Sequence, residues 1–194
     1  MASEGLRQFL QQNLRDGAEA RAKLVDACLP QVVAAAQLIH KALSTGNKLL
    51  LFGNGGSAAD AQHMAAEFVC RFAGDRQALP AVALTTNGSA LTAIANDYGF
   101  EQVFARQIRA LGRKRDVAIG ISTSGRSRNV IGGIDAARRL GLRTIVLTGA
   151  KGARLASQAE IACIVPSAIT AHIQEGHIAI LHALCAATDA WLVK

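Results

Sequence analysis

Leu49-Leu-Leu-Phe-Gly-Asn-Gly-Gly-Ser57 passes from a continuous apolar run into a glycine-rich turn. An unbroken apolar run of this kind is typical of a strand that is buried on both faces of a sheet. From Ser57 onward the chain is rich in alanine and favours a helix. The stretch therefore predicts a strand, a turn and a helix N-terminus, where backbone N–H groups and the helix dipole favour an anion.

Apolar runs that are typical of strands recur along the chain and alternate with helical patterns. After the first strand we predict strands over 80–85, 116–121, 142–147 and 161–165. The helices predicted between and after them cover 91–96, 101–111, 128–140, 152–157 and 169–193. This alternation predicts an α/β fold, a three-layer αβα sandwich with a five-stranded parallel sheet and helices on both faces.

Two further helices are predicted before the first strand. The first runs to about Ala27, Pro30 interrupts the pattern, and the second runs to about Leu43. Residues 1–194 are expected to form one domain, in which the helices of residues 1–45 contribute to oligomer packing. The reason is that a long amphipathic helix outside the minimal α/β unit often packs against a partner.

Composition excludes several classes of protein. Hydrophobic residues make up 51% of the 194 residues, which argues against disorder, and no apolar run approaches the roughly 20 residues of a membrane span. The N-terminus lacks a signal pattern, so we expect a cytoplasmic protein without a membrane partner. The formal charge of +7 comes without a known nucleic-acid motif or interleaved aromatic residues, so we expect no nucleic-acid partner.

The segment Ser122-Thr-Ser-Gly-Arg-Ser127 is a candidate phosphate site. It follows a predicted buried strand and opens a helix, and four of its six residues carry hydroxyls. A capping turn alone needs fewer hydroxyls, so we expect the segment to bind a phosphate or a phosphosugar. Neither this segment nor the earlier glycine turn matches a Walker loop or a dinucleotide fingerprint.

Imidazole and carboxylate side chains occur on two of the predicted helices. His63 and Glu67 are four residues apart, so they share a helix face as a salt link, an acid and base pair, or two metal ligands. The last helix carries Gln174, His177 and His182 in an aliphatic segment. Gln174 and His182 lie roughly 80° apart around a regular helix and about 12 Å apart along it, and spacing alone does not choose between the two histidines.

Four motifs together resemble the sugar isomerase (SIS) family, and within it the phosphoheptose isomerases. They are Gly53-Asn-Gly-Gly-Ser-Ala-Ala-Asp-Ala-Gln-His63, Ala95-Asn-Asp97, Ile121-Ser-Thr-Ser-Gly125 and Ile173-Gln-Glu-x-His177. The resemblance extends over nearly the whole chain in the same order. It implies a flavodoxin-like sandwich, a homotetramer with active sites at subunit interfaces, one Zn²⁺ per subunit and a step of heptose biosynthesis.

The resemblance also implies roles for individual residues. It places Glu67 and His182 in catalysis, and His63, Glu67, Gln174 and His182 as metal ligands. The substrate-binding residues that it implies are Asn54, Gly55, Gly56, Ser57, Glu67, Arg71, Asn96, Asp97, Ser122, Thr123, Ser124, Ser127 and Gln174. One departure is Ala171, which stands where some members of the family carry an acidic residue.

The implied reaction converts sedoheptulose 7-phosphate to D-glycero-manno-heptose 7-phosphate through an enediol. In it Glu67 moves a proton between C1 and C2, His182 serves as the acid, and the metal polarises the carbonyl. Glu67 as a tight zinc ligand would be a weaker base, so its two roles compete.

Two alternatives remain beside the isomerase. One is a non-catalytic SIS tetramer that binds a protein partner such as the replication initiator, and the other is an isomerase of a different sugar phosphate. The presence of Glu67 and His182 favours an enzyme. A phosphosugar-sensing regulator would need a DNA-binding domain in addition.

Overall fold

A computed structural model describes residues 3–192 of the chain. Within that range the strands are β1 Leu49–Gly53, β2 Ala81–Ala83, β3 Val117–Ser122, β4 Arg143–Gly149 and β5 Ile161–Val165. The helices are α1 Ser3–Ala22, α2 Leu24–Ser44, α3 Gly56–Val69, α4 Gly88–Tyr98, α5 Val103–Leu111, α6 Arg128–Arg139, α7 Ala153–Ala156 and α8 Thr170–Leu192. A 3₁₀ turn, Phe100–Gln102, joins α4 to α5.

All described strand pairs are parallel, and the strand order is β2-β1-β3-β4-β5. The predicted fold class is thereby confirmed: a five-stranded parallel sheet with helices on both faces. From β1 the chain passes to β2 on one side, and β3, β4 and β5 follow on the other side, so the winding direction reverses between β1 and β3. Ligands of open α/β sheets bind at such a switch point, beyond the carboxyl ends of the strands.

Alternating residues of β1 enter two separate hydrophobic layers. Leu49 and Leu51 pack with residues of α2, α3 and α8 on one face, while Leu50 and Phe52 pack with α5, α6 and α7 on the other. All five residues of β1 are buried, which is the physical reason that the strand reads as an unbroken apolar run. The helices α3 and α8, which carry most of the candidate catalytic side chains, therefore share one face of the sheet.

The boundary between the first two helices differs from the prediction. The break lies at Lys23, between α1 and α2, and Pro30 lies inside α2. Pro30 removes one hydrogen bond to the carbonyl of Asp26, but both residues are exposed, so water can replace the missing partner. The expected end of the last helix at Val193 lies outside the described residues.

Among residues 3–192 no single helix is long and apolar enough to cross a membrane. The pair α1 and α2, which is bent by 45° at the break, passes that test of length and composition only when both are taken together. Helix α1 packs on α8 and leaves four large apolar side chains exposed, namely Leu6, Phe9, Leu10 and Leu14. The expected oligomer packing of residues 1–45 stays a prediction.

Candidate active site

The loop after β1 needs glycine at Gly53 because of close packing and at Gly55 because of its backbone conformation. A Cβ atom on Gly53 would lie 2.8 Å from Cβ of Ser57 and 2.9 Å from the carbonyl oxygen of Ile121. Gly55 has φ of 56°, a left-handed conformation that side chains disfavour. The chain can therefore turn from β1 directly into α3, whose N-terminus faces the carboxyl edge of the sheet.

The N-terminus of α8 lies against this turn. A Cβ atom on Gly56 would lie 2.4 Å from Nε2 of Gln174, so a larger residue there would displace the amide from this position. Gln174 is half-buried there. The structure thus brings together the predicted residues of the glycine turn and one predicted residue of the last helix.

Two asparagines join the turn after β1 to the turn after β3. Nδ2 of Asn54 donates to Oδ1 of Asn129 at 2.9 Å, and Nδ2 of Asn129 donates to Oδ1 of Asn54 at 2.8 Å. Asn129 is buried at the start of α6 and also accepts from the N–H of Val130. The sequence prediction missed Asn129, although an amide two residues after Ser127 in the first turn of a helix is a usable signal.

The predicted phosphate segment follows β3 as a hydroxyl-rich turn. The hydroxyls of Ser122 and Ser127 lie 3.0 Å apart, and the N–H of Arg126 donates to Oγ of Ser124 at 3.2 Å. Ser127 stands at the N-cap of α6 but makes no side-chain capping bond. The first turn of α6 is therefore open to an anion, which the helix dipole favours.

A carboxylate and two imidazoles meet on the facing sides of α3 and α8. Nε2 of His63 lies 3.1 Å from Oε1 of Glu67, and the His63 ring is nearly perpendicular to the His182 ring with centroids 5.2 Å apart. The Phe72 ring covers His182 at a centroid distance of 5.6 Å. Three predicted residues thus form a cluster that can hold and move protons, which we call the His63–Glu67–His182 cluster.

The structure separates the two histidines between which spacing could not choose. His182 joins the cluster, whereas His177 is fully buried and neither of its ring nitrogens has a hydrogen-bond partner among residues 3–192. Burial lowers the pKa of His177 to about 4, against an opposing effect of the Thr148 carbonyl. His177 is therefore a neutral core residue, and it has no contact with solvent.

Asp60 is an acidic neighbour of the cluster that the sequence prediction did not include. It lies one turn before His63 on α3, and its Oδ2 atom is buried with no hydrogen-bond partner in the described part of the chain. Burial raises the pKa of Asp60, while the nearby imidazoles of His63 and His182 lower it. An aspartate three residues before a histidine in an alanine-rich helix is a signal that could have found it.

A buried ion pair fixes the helix ends beyond this cluster. Nε of Arg76 lies 2.6 Å from Oδ1 of Asp189, and their side chains are 2% and 8% exposed. The Arg76 guanidinium also donates to the carbonyl of Glu67 at 2.7 Å and to that of Phe68 at 2.9 Å. These carbonyls belong to the last turn of α3, which is otherwise left without intrahelical partners.

Asp189 in turn holds the loop that follows α3. Its Oδ2 atom accepts from the N–H of Ala73 at 2.9 Å and from that of Gly74 at 3.2 Å. Burial raises the pKa of Asp189, but these two hydrogen bonds and the Arg76 guanidinium more than offset it and hold the pKa below its ordinary value. The pair therefore ties α8, which carries His182, to the end of α3, which carries Glu67.

Other predicted residues lie apart from the cluster. The side chains of Asn96 and Asp97 are exposed on α4 and, among the described residues, hydrogen-bond to each other at 2.8 Å and to no third side chain. Arg71 is exposed beyond the end of α3. Among residues 3–192 none of these three side chains hydrogen-bonds to a residue of the cluster.

The predicted metal ligands do not converge in one chain. Within residues 3–192 no three His, Cys, Asp or Glu side chains form a group that could hold a metal ion. Gln174 lies against Gly56, which precedes His63 by about 10 Å along a regular helix. His63, Glu67 and His182 are neighbours, whereas Gln174 lies nearer the carboxyl edge of the sheet.

A family model of the SIS domain matches residues 14–149. A phosphoheptose isomerase of Aquifex aeolicus (strain VF5) is 54% identical over 171 residues, which are 88% of this chain and 90% of that protein. A phosphoheptose isomerase of Roseiflexus sp. (strain RS-1) is 48% identical over 94% of this chain and 93% of its own length.

Solved structures are similar over the same extent. The phosphoheptose isomerase GmhA from Neisseria gonorrhoeae superposes with a TM-score of 0.89 at 43% identity, over 95% of this chain and 99% of that one. A phosphoheptose isomerase from Francisella tularensis has a TM-score of 0.92 at 35% identity, over 98% and 100% of the two chains. With its glycine turn, its hydroxyl-rich turn and its His63–Glu67–His182 cluster, the chain belongs to the SIS domain family and, within it, to the phosphoheptose isomerases.

Proposed function

We propose that this protein is an aldose–ketose isomerase that converts sedoheptulose 7-phosphate to D-glycero-manno-heptose 7-phosphate. The observation that carries the proposal is the His63–Glu67–His182 cluster, in which Oε1 of Glu67 lies 3.1 Å from Nε2 of His63. A carboxylate beside two imidazoles supplies the base and the acid that proton transfer between adjacent carbons requires. The relatives named phosphoheptose isomerase support the choice of substrate.

The hydroxyl-rich turn after β3 holds the phosphate at the far end of the sugar. The backbone N–H groups of Arg128 and Asn129 at the start of α6 and the hydroxyls of Thr123 and Ser124 supply the donors for that anion. Binding energy from this remote group positions the reacting carbons at the catalytic carboxylate. The amide of Asn54, in the turn after β1, and the amide of Gln174, on α8 beside that turn, bind the sugar hydroxyls between the two ends.

Glu67 and His182 carry out the isomerisation in two steps, each of which transfers two protons. The Glu67 carboxylate removes a proton from C1 of the ketose, the electron pair forms the C1–C2 double bond, and the C2 oxygen takes a proton from His182. The resulting enediol then returns its C1 hydroxyl proton to His182 while C2 takes the proton from Glu67. The aldose is formed, and both side chains regain their starting states. His63 orients the carboxylate.

We also propose one Zn²⁺ per subunit, held by His63, Glu67 and His182 with Gln174 as a further ligand. Imidazole and carboxylate are among the usual ligands of zinc, so the donor types fit, although a preformed group of three is absent from residues 3–192. When bound, zinc would polarise the substrate carbonyl. The measurement is the zinc content of the purified protein, with His63→Ala as the variant that lowers it; an unchanged zinc content would contradict this ligand set.

A homotetramer with sites at subunit interfaces is part of the proposal. The exposed apolar side chains of α1 support it, because a second subunit would cover them. The separation of Asn96 and Asp97 from the cluster also supports it, because a second subunit would bring its own Asn96 and Asp97 to the site. Light scattering after gel filtration measures the mass, and a monomer would contradict this part. The cytoplasm is the compartment we propose, because sugar phosphates are made and consumed there.

The test of the activity is an isomerase assay with sedoheptulose 7-phosphate on the wild type and on Glu67→Gln. The amide keeps the shape of the carboxylate but cannot accept the proton, so turnover should fall by at least 10³-fold while phosphate binding persists. Glu175→Gln, an exposed acid on α8, is the matched control and should retain activity. Near-normal turnover by Glu67→Gln would refute the assignment of the base. A folded wild type without turnover would favour another sugar phosphate or the partner-binding alternative.

A further inference from the structure

A cavity of about 250 Å³ lies at the amino edge of the sheet, at the opposite ends of the strands from the candidate active site. We call it the amino-edge cavity. The end of α2, the turn before β3 and the start of β4 surround it, and its lining residues are Leu38, Lys41, Ala42, Thr45, Arg115 and Arg143. Because β3 is six residues long, roughly 20 Å separates the two edges of the sheet. A small ligand in this cavity would therefore not reach the candidate active site.

The charge around the amino-edge cavity is positive. Three of its lining residues are cations, namely Lys41, Arg115 and Arg143, and no acidic residue of the described chain lines it. Arg143 is paired with Glu160, whereas Lys41 and Arg115 form no salt bridge among residues 3–192. Two cations at the cavity are therefore left without a counterion.

The nearest negative groups already have other partners. The buried carboxylate of Asp116 pairs with the ammonium of Lys48 and accepts from the N–H of Arg113 at 2.8 Å. The negative end of the α2 dipole also lies here, but the hydroxyl of Thr45 donates to the carbonyl of Lys41 at 2.9 Å and so caps this helix end. Neither group is left to neutralise the cations of the cavity.

Arg115 holds its side chain at the cavity in spite of an unfavourable backbone conformation. Its φ is 75°, and it is the one residue other than glycine with a positive φ in the described part of the chain. The N–H of Asp116 donates to the carbonyl of Arg113 across this turn, and the N–H of Arg115 donates to the carbonyl of Gly141. Glycine would adopt the same conformation with less strain. An arginine at such a position supports a functional use of its side chain.

We infer that the amino-edge cavity binds a small phosphorylated molecule, with Lys41, Arg115 and Arg143 as its ligands. Guanidinium groups match the oxygen atoms of a phosphate in pairs, and an ammonium group adds a point charge. Three cations favour the multiple charge of a phosphate or diphosphate over the single charge of a carboxylate. The cavity has the volume of about eight water molecules, and Leu38 and Ala42 give it an apolar wall for the body of the ligand. The inference does not depend on the proposed isomerase reaction.

The experiment measures the binding of inorganic pyrophosphate by calorimetry. Lys41→Gln and Arg115→Gly are the cavity variants, and Arg113→Gln is the matched control, because it makes the same charge change at a residue that does not line the cavity. We expect the wild type to bind with a Kd below about 1 mM and each cavity variant to raise the Kd about 10-fold. Arg113→Gln should change the Kd less than about 2-fold.

The melting temperature of Arg115→Gly separates a ligand from a structural residue. Glycine relieves the backbone strain at this turn, so the melting temperature should be unchanged or higher while pyrophosphate binding is weakened. If both cavity variants lose pyrophosphate binding only together with a clear fall in melting temperature, their role is structural and the inference is overturned.

A variant at the other edge of the sheet shows which site takes the anion. Ser124→Ala, in the hydroxyl-rich turn after β3, should keep the pyrophosphate site that the cavity variants lose. The inference is overturned if the wild type does not bind pyrophosphate, if Arg113→Gln has the same effect as the cavity variants, or if Ser124→Ala loses the binding that the cavity variants keep.

Turnover of sedoheptulose 7-phosphate separates this inference from the proposed function. Both cavity variants should keep kcat and KM within about 2-fold of the wild type, because the cavity lies at the far edge of the sheet. If no protein turns over the sugar, the wild type included, while pyrophosphate binding follows the expected pattern, the proposed reaction fails and the assignment of the amino-edge cavity stands.

Discussion

Asp189→Asn should destabilise the protein far more than its conservative chemistry suggests. The asparagine oxygen can still accept a hydrogen bond from the loop after α3, but the variant leaves the guanidinium of Arg76, which is 2% exposed, without its counterion. Removing one partner of a buried ion pair costs about 3–5 kcal/mol, because the remaining charge stays buried without compensation. We therefore expect the free energy of unfolding to fall by about 3–5 kcal/mol at pH 7.

The assay is equilibrium urea unfolding at one fixed protein concentration, since association of subunits would make stability depend on concentration. Glu160→Gln is the matched control, because Glu160 also pairs with an arginine, Arg143, but their side chains are 40% and 42% exposed. An exposed pair contributes about 0–1 kcal/mol, so the control should change little. The slope of the free energy of unfolding against urea concentration should be unchanged in both variants.

A double variant, Arg76→Met with Asp189→Leu, tests the physical reason. Removing both charges leaves no uncompensated ion, so the loss should be smaller than the sum of the two single losses. The reasoning would be refuted if Asp189→Asn lost less than about 1 kcal/mol, or no more than Glu160→Gln.

Three further outcomes are expected. Because burial holds the pKa of His177 at about 4, below its unfolded value of about 6.5, the unfolded chain takes up the proton first, and stability should fall by about 3 kcal/mol from pH 6.5 to 4. Denaturant titrations of His177→Leu should show a flatter pH profile; an identical one would contradict the assignment. Gly125→Ala, which forces a Cβ atom against Gly152 at φ of +61°, should lower thermal stability and weaken phosphate binding at least 10-fold by calorimetry. Asn129→Ala, which removes both hydrogen bonds to Asn54, should raise KM about 10-fold in steady-state assays, and an unchanged KM would show that Asn54 needs no support.

The central strands were predictable because β1 and β3 are buried along their whole length and leave a continuous apolar run. The ends of the strands were harder to predict, because they depend on how far each strand pairs with the adjacent strands. We expected a strand over 80–85, but β2 ends at Ala83, since it lies at the edge and pairs with only three residues of β1. Strand β4 extends to Gly149, two residues beyond the prediction, because it pairs on both sides.

The helix break was not predictable from local chemistry alone. Pro30 reads as a helix stop, yet its position on an exposed face lets the helix continue, and exposure is a property of the fold. The local sequence could not decide between His177 and His182 either, since both lie on one helix. Only the packing of α8 determines which imidazole reaches His63.

Contacts between distant segments lay beyond any pattern in the sequence. Arg76 and Asp189 are 113 residues apart, and nothing in either neighbourhood indicates the other. Asn54 and Asn129 are 75 residues apart, and only the adjacency of β1 and β3 brings their loops together. The sequence could mark the glycine turn and the hydroxyl-rich turn only as candidate anion sites, and that assignment stays a prediction. The polar groups that hold the two turns in place could not be predicted.

Helix α8 also sets the order in which the molecule becomes complete. It supplies Gln174, His182 and Asp189, and it covers apolar side chains of α2 and α3, yet it follows every other described element in the chain. Since synthesis proceeds from the N-terminus, the sheet leaves the ribosome while Arg76 has no counterion and this apolar surface faces water. A chain that stops before α8 therefore lacks part of the candidate active site and exposes the apolar surface of α2 and α3. We expect such a chain to be bound by chaperones or degraded.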